Sequence, residues 1–225
     1  MKKVFYTVFL LFLYLSISFK TFGQTNIYTT SGIEILFSFA NIQQDGNETG
    51  SILRFAPVLN SQTFVNFDVA ENAGFFIGAG VRNVGFIYDQ DSDTRKKFRT
   101  YNLGIPVGMK LGDLERFFGY IGYELEIPFH YKEKTFISER KEKFTVWFSN
   151  RVPTVNHSLL VGVQFPYGLN LKFKYYFTEF FNRDFEELDP QTGTRSKPYE
   201  NLEVNVMYIS VAFNLFKNTK IYEFY

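Results

Sequence analysis

The chain reads as an all-β protein, an eight-stranded antiparallel up-and-down transmembrane β-barrel, on three observations. Apolar and polar residues alternate with period two through most of the sequence, in segments too long and too numerous for a helical protein. Aromatic residues reach 20% while the mean hydropathy stays at −0.13, so large rings are interleaved with polar residues. The connections alternate between tight and long, as in barrels with short turns at one end and longer loops at the other. A length of 225 residues suits one such domain.

Residues 1–23 are expected to be a signal peptide. Lys2 and Lys3 precede an apolar run over 4–19, and Thr21-Phe22-Gly23 supplies a small residue at the cut. A retained anchor is the competing reading of that run. Cleavage after Gly23 leaves a mature chain from Gln24, with 24–225 as the barrel domain, and no later stretch approaches the ~18 consecutive apolar residues of a membrane helix.

The strands follow in order, near 29–40, 52–69, 74–88, 98–112, 117–131, 157–165, 168–180 and 201–216. In the first, Ile33, Ile35, Phe37 and Phe39 oppose Glu34 and Ser38. The second joins Leu53 and Phe55 to Val65, Phe67 and Val69 across an interruption at 57–60, because proline cannot donate to a ladder and bulges are where sheets tolerate it. Phe75, Ile77, Ala79 and Val81 set the third against Gly78, Gly80 and Arg82, and the fourth alternates from Tyr101 to Leu111 against Asn102, Gly104, Pro106, Gly108 and Lys110. The fifth sets Ile121, Tyr123, Leu125, Ile127, Phe129 and Tyr131 against Gly122, Glu124, Glu126 and His130. The last three repeat the pattern from Leu159, from Leu169 and from Met207. An even strand number puts both termini on the short-turn, periplasmic side.

Charge placement decides between a soluble cup and a membrane barrel. The polar face carries glycines together with Glu34, Arg54, Asp68, Arg82, Lys110, Glu124, Glu126, Lys172 and Lys174. Mixed charge with glycine suits a narrow lumen, and these nine residues are the expected lumen charge network. The opposite face is bulky and nearly uncharged for the ~9–11 residues that a tilted strand needs to cross hydrocarbon. Its rings cluster in two candidate girdles, Phe75, Phe117, Phe165 and Phe213 at the turn end and Tyr101, Phe129, Tyr131, Tyr175 and Phe177 at the loop end. Pairing about the short turns is expected to set Glu124 opposite Gly104, Glu126 opposite Asn102, Lys172 opposite Gly162 and Lys174 opposite Leu160, with Gly162 leaving room for the two lysines.

The signal ending in Gly23-Gln24, the run NAGFFIGAGVRNVGF over 72–86 and YNLGIPVG over 101–108 resemble the small outer-membrane β-barrel proteins of Bacteroidota, the PorT-like or OmpA-barrel-like group. The resemblance covers essentially the whole mature chain and implies an architecture, so it carries over no catalytic residue. Such barrels usually finish on a final-strand aromatic. Here the chain continues past Phe216, so either Phe216 or the terminal Phe224-Tyr225 takes that place.

Candidate chemistry is sparse. His157 and Ser158 are adjacent on a strand and so face opposite sides, which denies them a nucleophile–base pair. His130 is expected on the inward face, too far along the strand from Glu126 for contact. Asp89, Asp91 and Asp93 lack the glycine and glutamate of a calcium loop, since Thr94 and Thr100 stand there. Absence of cysteine excludes disulfides, thiol catalysis and cysteine-ligated metals, and a net charge of +1 offers no basic surplus for nucleic acid. No cofactor and no metal site is expected. In the longest loop, 132–156, Phe144, Trp147 and Phe148 are candidates for partner contact. The expected function is non-enzymatic, a structural, adhesive or envelope-assembly role in the outer membrane, with membrane lipid and a protein bound through the loops as partners. A small solute channel and a lipid-modifying enzyme are the alternatives.

Overall fold

A computed structural model describes residues 26–138, 140–188 and 193–219, the last stretch with side chains only as far as Asn214. The expected signal segment and the terminal Phe224-Tyr225 lie outside the described residues, as does the side chain of Phe216. The barrel strands are β1 (Asn26–Gln44), β2 (Arg54–Ala56 continued by Ser61–Ala70), β3 (Ala73–Asp89), β4 (Thr94–Asp113), β5 (Phe117–Ile137), β6 (Asn156–Gln164), β7 (Leu169–Tyr176) and β8 (Leu202–Thr219). Each pairs antiparallel with its sequence neighbour, and β1 pairs with β8 from Tyr28↔Thr219 to Gln44↔Leu202, which closes the ring. The protein is an eight-stranded antiparallel β-barrel.

β2 is interrupted at 57–60, where Val58 and Leu59 stand out from the wall. Buried Asn60 stitches the gap: its Nδ2 donates to Ala56 O (2.8 Å), its Oδ1 accepts from Asn83 N (2.7 Å), and its carbonyl accepts from Glu34 N (3.0 Å). Proline's missing donor is thereby absorbed without breaking the wall.

Four expectations need correction. First, β4 and β5 pair two residues away from the expected register, with Glu126 opposite Gly104, Glu124 opposite Pro106 and Pro128 opposite Asn102. The turn decides it: Asp113 pairs with Phe117, and Asp113 Oδ1 accepts from the amides of Glu115 and Arg116 (both 3.1 Å), which needs a three-residue loop. Second, the register shifts between Tyr101↔His130 and Asn102↔Pro128, leaving Phe129 as an extra residue. A one-residue insertion exchanges the faces beyond it. Tyr131, expected in the outer girdle, is therefore fully buried inside, and His130, expected inside, faces out and stacks on Tyr101 (centroids 5.4 Å). Third, β5 runs on to Ile137 and folds back as the strand Arg140–Trp147, so much of the expected loop 132–156 is a hairpin standing above the barrel wall. Fourth, β7 ends at Tyr176 and not at 180. Phe180 and Phe181 are adjacent bulky rings that one strand would send to opposite faces. The chain turns inward instead, with Phe180 N donating to Val204 O (2.8 Å).

The outer surface carries the apolar set. Leu103, Ile105, Val107, Met109 and Leu111 of β4 are all exposed, as are Ile121, Leu125 and Ile127 of β5 and Leu171, Phe173 and Ile209 beyond them. The inside holds the charges, inverting the arrangement of a soluble protein.

Candidate functional site

The interior has three tiers. At the waist, inward positions on β1, β3, β5 and β7 bring Glu34, Arg82, Glu124, Glu126, Lys172 and Lys174 together, all essentially inaccessible to solvent. Lys172 Nζ lies 2.5 Å from Glu34 Oε1, and Lys174 Nζ lies 2.6 Å from Glu124 Oε2 and in direct contact with Glu126. Arg82 joins the halves, with Nη2 3.5 Å from Glu124 and Nε 3.9 Å from Glu34. Three cations thus meet three carboxylates. Tyr176 Oη (2.9 Å) and Asn102 Nδ2 (2.7 Å) supply further donors to Glu126, and Gln62 Oε1 accepts from both Arg82 and Lys172 (3.2 Å each). The close approach needs a small residue opposite: a Cβ on Gly104 would overlap Oε1 of Glu124. Gly162 does not leave room for the lysines as expected, because the ring of Tyr120 fills that space and its hydroxyl donates to Asn170 Oδ1 (2.7 Å).

The other expected lumen residues are also inside but apart from this group. Lys110 sits nearer the turn end with Asp68 (2.5 Å), Asn66 (3.2 Å) and Tyr28 Oη (3.1 Å). A cavity of about 220 Å³ adjoins it, lined by Tyr28, Asn66, Phe118 and Tyr120. Arg54 lies on the loop side of the waist, where it donates to Asn83 O (3.0 Å), Asn83 Oδ1 and Ser38 Oγ (3.3 Å).

Above the waist the inward face turns apolar and the loop after β7 closes it. Phe180, Phe181 and Tyr199 from that loop pack on Phe86 and Phe98 of the wall, with Phe181 stacked on Tyr199 at 4.2 Å and edge-on to Phe98 at 5.0 Å. Sequence reasoning did not single out this plug; the turn from Arg82 to Val84, Phe86 and Tyr88 on the inward positions of β3 was its one visible sign. Over the plug a mouth cavity of about 600 Å³ is lined by Lys96, Glu133, Arg151, Tyr199 and Asn201. Burial pushes the Tyr88 hydroxyl up to about 12, and burial with neighbouring Tyr199 and Glu133 raises Tyr131, so the phenols around this mouth stay protonated.

The remaining candidates are dispersed. His157 faces out against the Tyr123 hydroxyl, whereas Ser158 faces in and donates to Glu124 O (3.0 Å). Asp89 pairs with Arg95 (2.7 Å), which lowers its carboxyl, and Asp91 Oδ1 accepts from Asp93 N (3.0 Å). Among the described residues no three acidic, histidine or cysteine side chains gather as a metal site. Phe144, Trp147 and Phe148 are exposed but form no single patch. Phe144 lies on the inner face of the hairpin beneath Arg151 (4.5 Å), whereas Trp147 lies on the outer face against His130 (4.4 Å).

No protein-family model matches the chain, and no curated protein matches it. Solved structures similar in outline are small outer-membrane β-barrel proteins. The attachment invasion locus protein Ail of Yersinia pestis is 9% identical, with TM-score 0.37 over 85% of this chain and 99% of its own. Neisserial surface protein A is 10% identical, with TM-score 0.38 over 84% of this chain and 97% of its own. The outer membrane protein AlkL is 8% identical, with TM-score 0.38 over 91% of this chain and 95% of its own. At such scores the barrel assignment rests on the chain's own strand pairing.

Proposed function

We propose that the chain is an outer-membrane β-barrel with a closed lumen, a non-enzymatic protein that acts through its loop-end surface in adhesion or envelope assembly. The observation that carries this reading is the inversion of polarity around a closed ring. The outward residues of the strands are apolar, whereas three cationic and three acidic side chains form one balanced network within. A hydrocarbon surround makes that arrangement favourable, since the closed ring pairs each strand with its neighbours and apolar side chains meet lipid. The PorT-like resemblance of residues 72–86 and 101–108 belongs with this reading, as do export by the 1–23 signal and a protein partner at the loop end.

A closed lumen argues against the channel alternative, because the waist network and the Phe180–Phe181–Tyr199 plug lie in series. The opposite facing of His157 and Ser158 argues against a hydrolase built on that pair. Fractionation of cells, with gel migration before and after boiling, tests the membrane reading. Recovery in the outer membrane with a heat-dependent band shift is expected, and a water-soluble chain with one mobility would overturn it. Planar-bilayer recording tests the closed lumen, where a large stable conductance would reverse the order of the readings.

A further inference from the structure

On the outer face of β4, β5 and the Arg140–Trp147 hairpin, the side chains change character in rows. From the turn end, Met109/Ile121, Val107/Tyr123, Ile105/Leu125 and Leu103/Ile127 are apolar cross-strand pairs. Next comes a row of rings, Tyr101, His130 and Trp147, with His130 in contact with both others. Immediately above, Arg99 lies opposite Lys132, and in the following row Lys97, Lys134 and Lys143 stand side by side across three strands. Lys141, opposite Phe136, continues the cluster. Above the row of rings, among the described residues, these three strands put no carboxylate on that face; Glu133 and Glu142 are on the inner one, and the neighbouring Asp89 is engaged by Arg95.

Like charges directly opposite one another in a sheet are destabilising, so a row of three lysines is held against mutual repulsion. Partial burial and the other cations lower Lys97, Lys132 and Lys134 alike. A surface of this kind is relieved by anions brought from outside. The ammonium groups themselves lie over rings, with Lys132 Nζ 5.9 Å from the Tyr101 centroid and Lys141 Nζ 5.8 Å from that of Phe136, cation–π contacts that hold Lys132 at the edge of the apolar band, as at a membrane interface. With strands ~4.8 Å apart the lysine row spans roughly 10 Å, the scale of a lipid headgroup.

We infer that Lys97, Arg99, Lys132, Lys134, Lys141 and Lys143 form a lateral binding site for the phosphate groups of a lipid headgroup in the leaflet at the loop end. The inference rests on the membrane reading above and adds to it a ligand class and a side of the barrel. A lipid is favoured over a soluble polyanion because the cations face sideways, continuous with the apolar band and one aromatic row above it, where a neighbouring lipid's headgroup must lie.

The test uses the mature barrel in phosphatidylcholine nanodiscs doped with diphosphoryl or with dephosphorylated lipid A, with co-purified glycolipid counted by mass spectrometry. Preferential retention of the diphosphoryl form is expected. Lys132→Gln with Lys134→Gln and Lys143→Gln should lower retention about fivefold per charge, roughly a hundredfold together, with the heat-dependent band shift intact. Arg183→Gln, whose partner Glu203 is 2.7 Å away on another part of the rim, should leave retention unchanged. Equal retention of both lipids by a barrel that enters the discs overturns this inference alone. So does equal retention by the triple variant, or binding of soluble heparin with no lipid preference. A chain that does not enter the discs overturns the membrane reading and this inference with it.

Discussion

The waist of the lumen and the outer rim of β4 and β5 hold similar numbers of ionised side chains under opposite rules. Inside, Lys172, Lys174 and Arg82 each meet a carboxylate, and Tyr176, Asn102 and Gln62 add further hydrogen bonds. On the rim, Lys97, Lys134 and Lys143 meet one another. The difference follows from what surrounds each group. A buried ion without a partner costs several kcal/mol, so the lumen can hold charges only as a balanced set. At the rim, solvent and ions screen repulsion to a fraction of that, so an unbalanced row is tolerable and remains available to a ligand.

The comparison breaks most sharply if the lumen is unbalanced. Glu124→Gln with Glu126→Gln leaves Lys174 with no carboxylate and Arg82 with Glu34 alone, a change of about 3–5 kcal/mol for each fully buried pair broken. A fall of many degrees in the gel-unfolding temperature is expected, and an unchanged temperature would show that the network is not buried. Phe181→Ala removes the ring between Phe98 and Tyr199; about 3 kcal/mol is expected, the lower end for a phenylalanine because the loop can settle inward. The same unfolding assay reads it, and conductance should stay low because the waist remains closed. Gly104→Ala puts a methyl group where Glu124 lies and should cost about 2 kcal/mol by overpacking. Restoring the room with Glu124→Asp in the same chain should recover part of it.

At the rim the sign reverses. Lys134→Gln removes a like-charge neighbour from both Lys97 and Lys143 and should leave the unfolding temperature level or raise it, by about 0.5 kcal/mol. Partial burial, with Lys141, Arg99, Lys143 and Lys132, holds the Lys134 ammonium below the ordinary lysine value. As pH rises through that lowered value, the folded chain releases a proton that the unfolded chain still holds, so the unfolded state binds more protons and stability rises with pH. The repulsion is fully present at lower pH. NMR titration of labelled lysine should show the Lys134 pKa rising in a Lys141→Gln variant. An unmoved value would mean that the row does not interact.

Much of this was legible in the sequence, and the limit has a physical form. Alternation assigns each residue a face, which is why Glu34, Arg82, Glu124, Lys172 and Lys174 could be placed in the lumen by parity alone. A slip of two residues preserves every face, so the same pattern is blind to it, and Glu124 was expected opposite Gly104 although Glu126 lies there. Only the three-residue turn after Asp113, held by its carboxylate, chooses between the two registers.

Two features escaped for a different reason. Beyond Tyr131 both faces of β5 become polar as far as Thr135, with Lys132 and Lys134 outside and Glu133 and Thr135 inside, so the sequence of this strand carries no contrast to reveal the exchange of faces at Phe129. The cationic row exists only because that insertion aligns Lys134 with Lys97 across the strands. Phe180 and Phe181 belong to a connection, where no periodicity reports whether rings point to solvent or into the barrel. The sequence by itself therefore determined a closed ring of strands with its charges inside, because those follow from side-chain parity and hydrophobicity. Tertiary structure alone decided which charges touch, how the lumen is plugged and where like charges gather, because contacts between distant strands depend on turns and a bulge whose geometry parity does not encode.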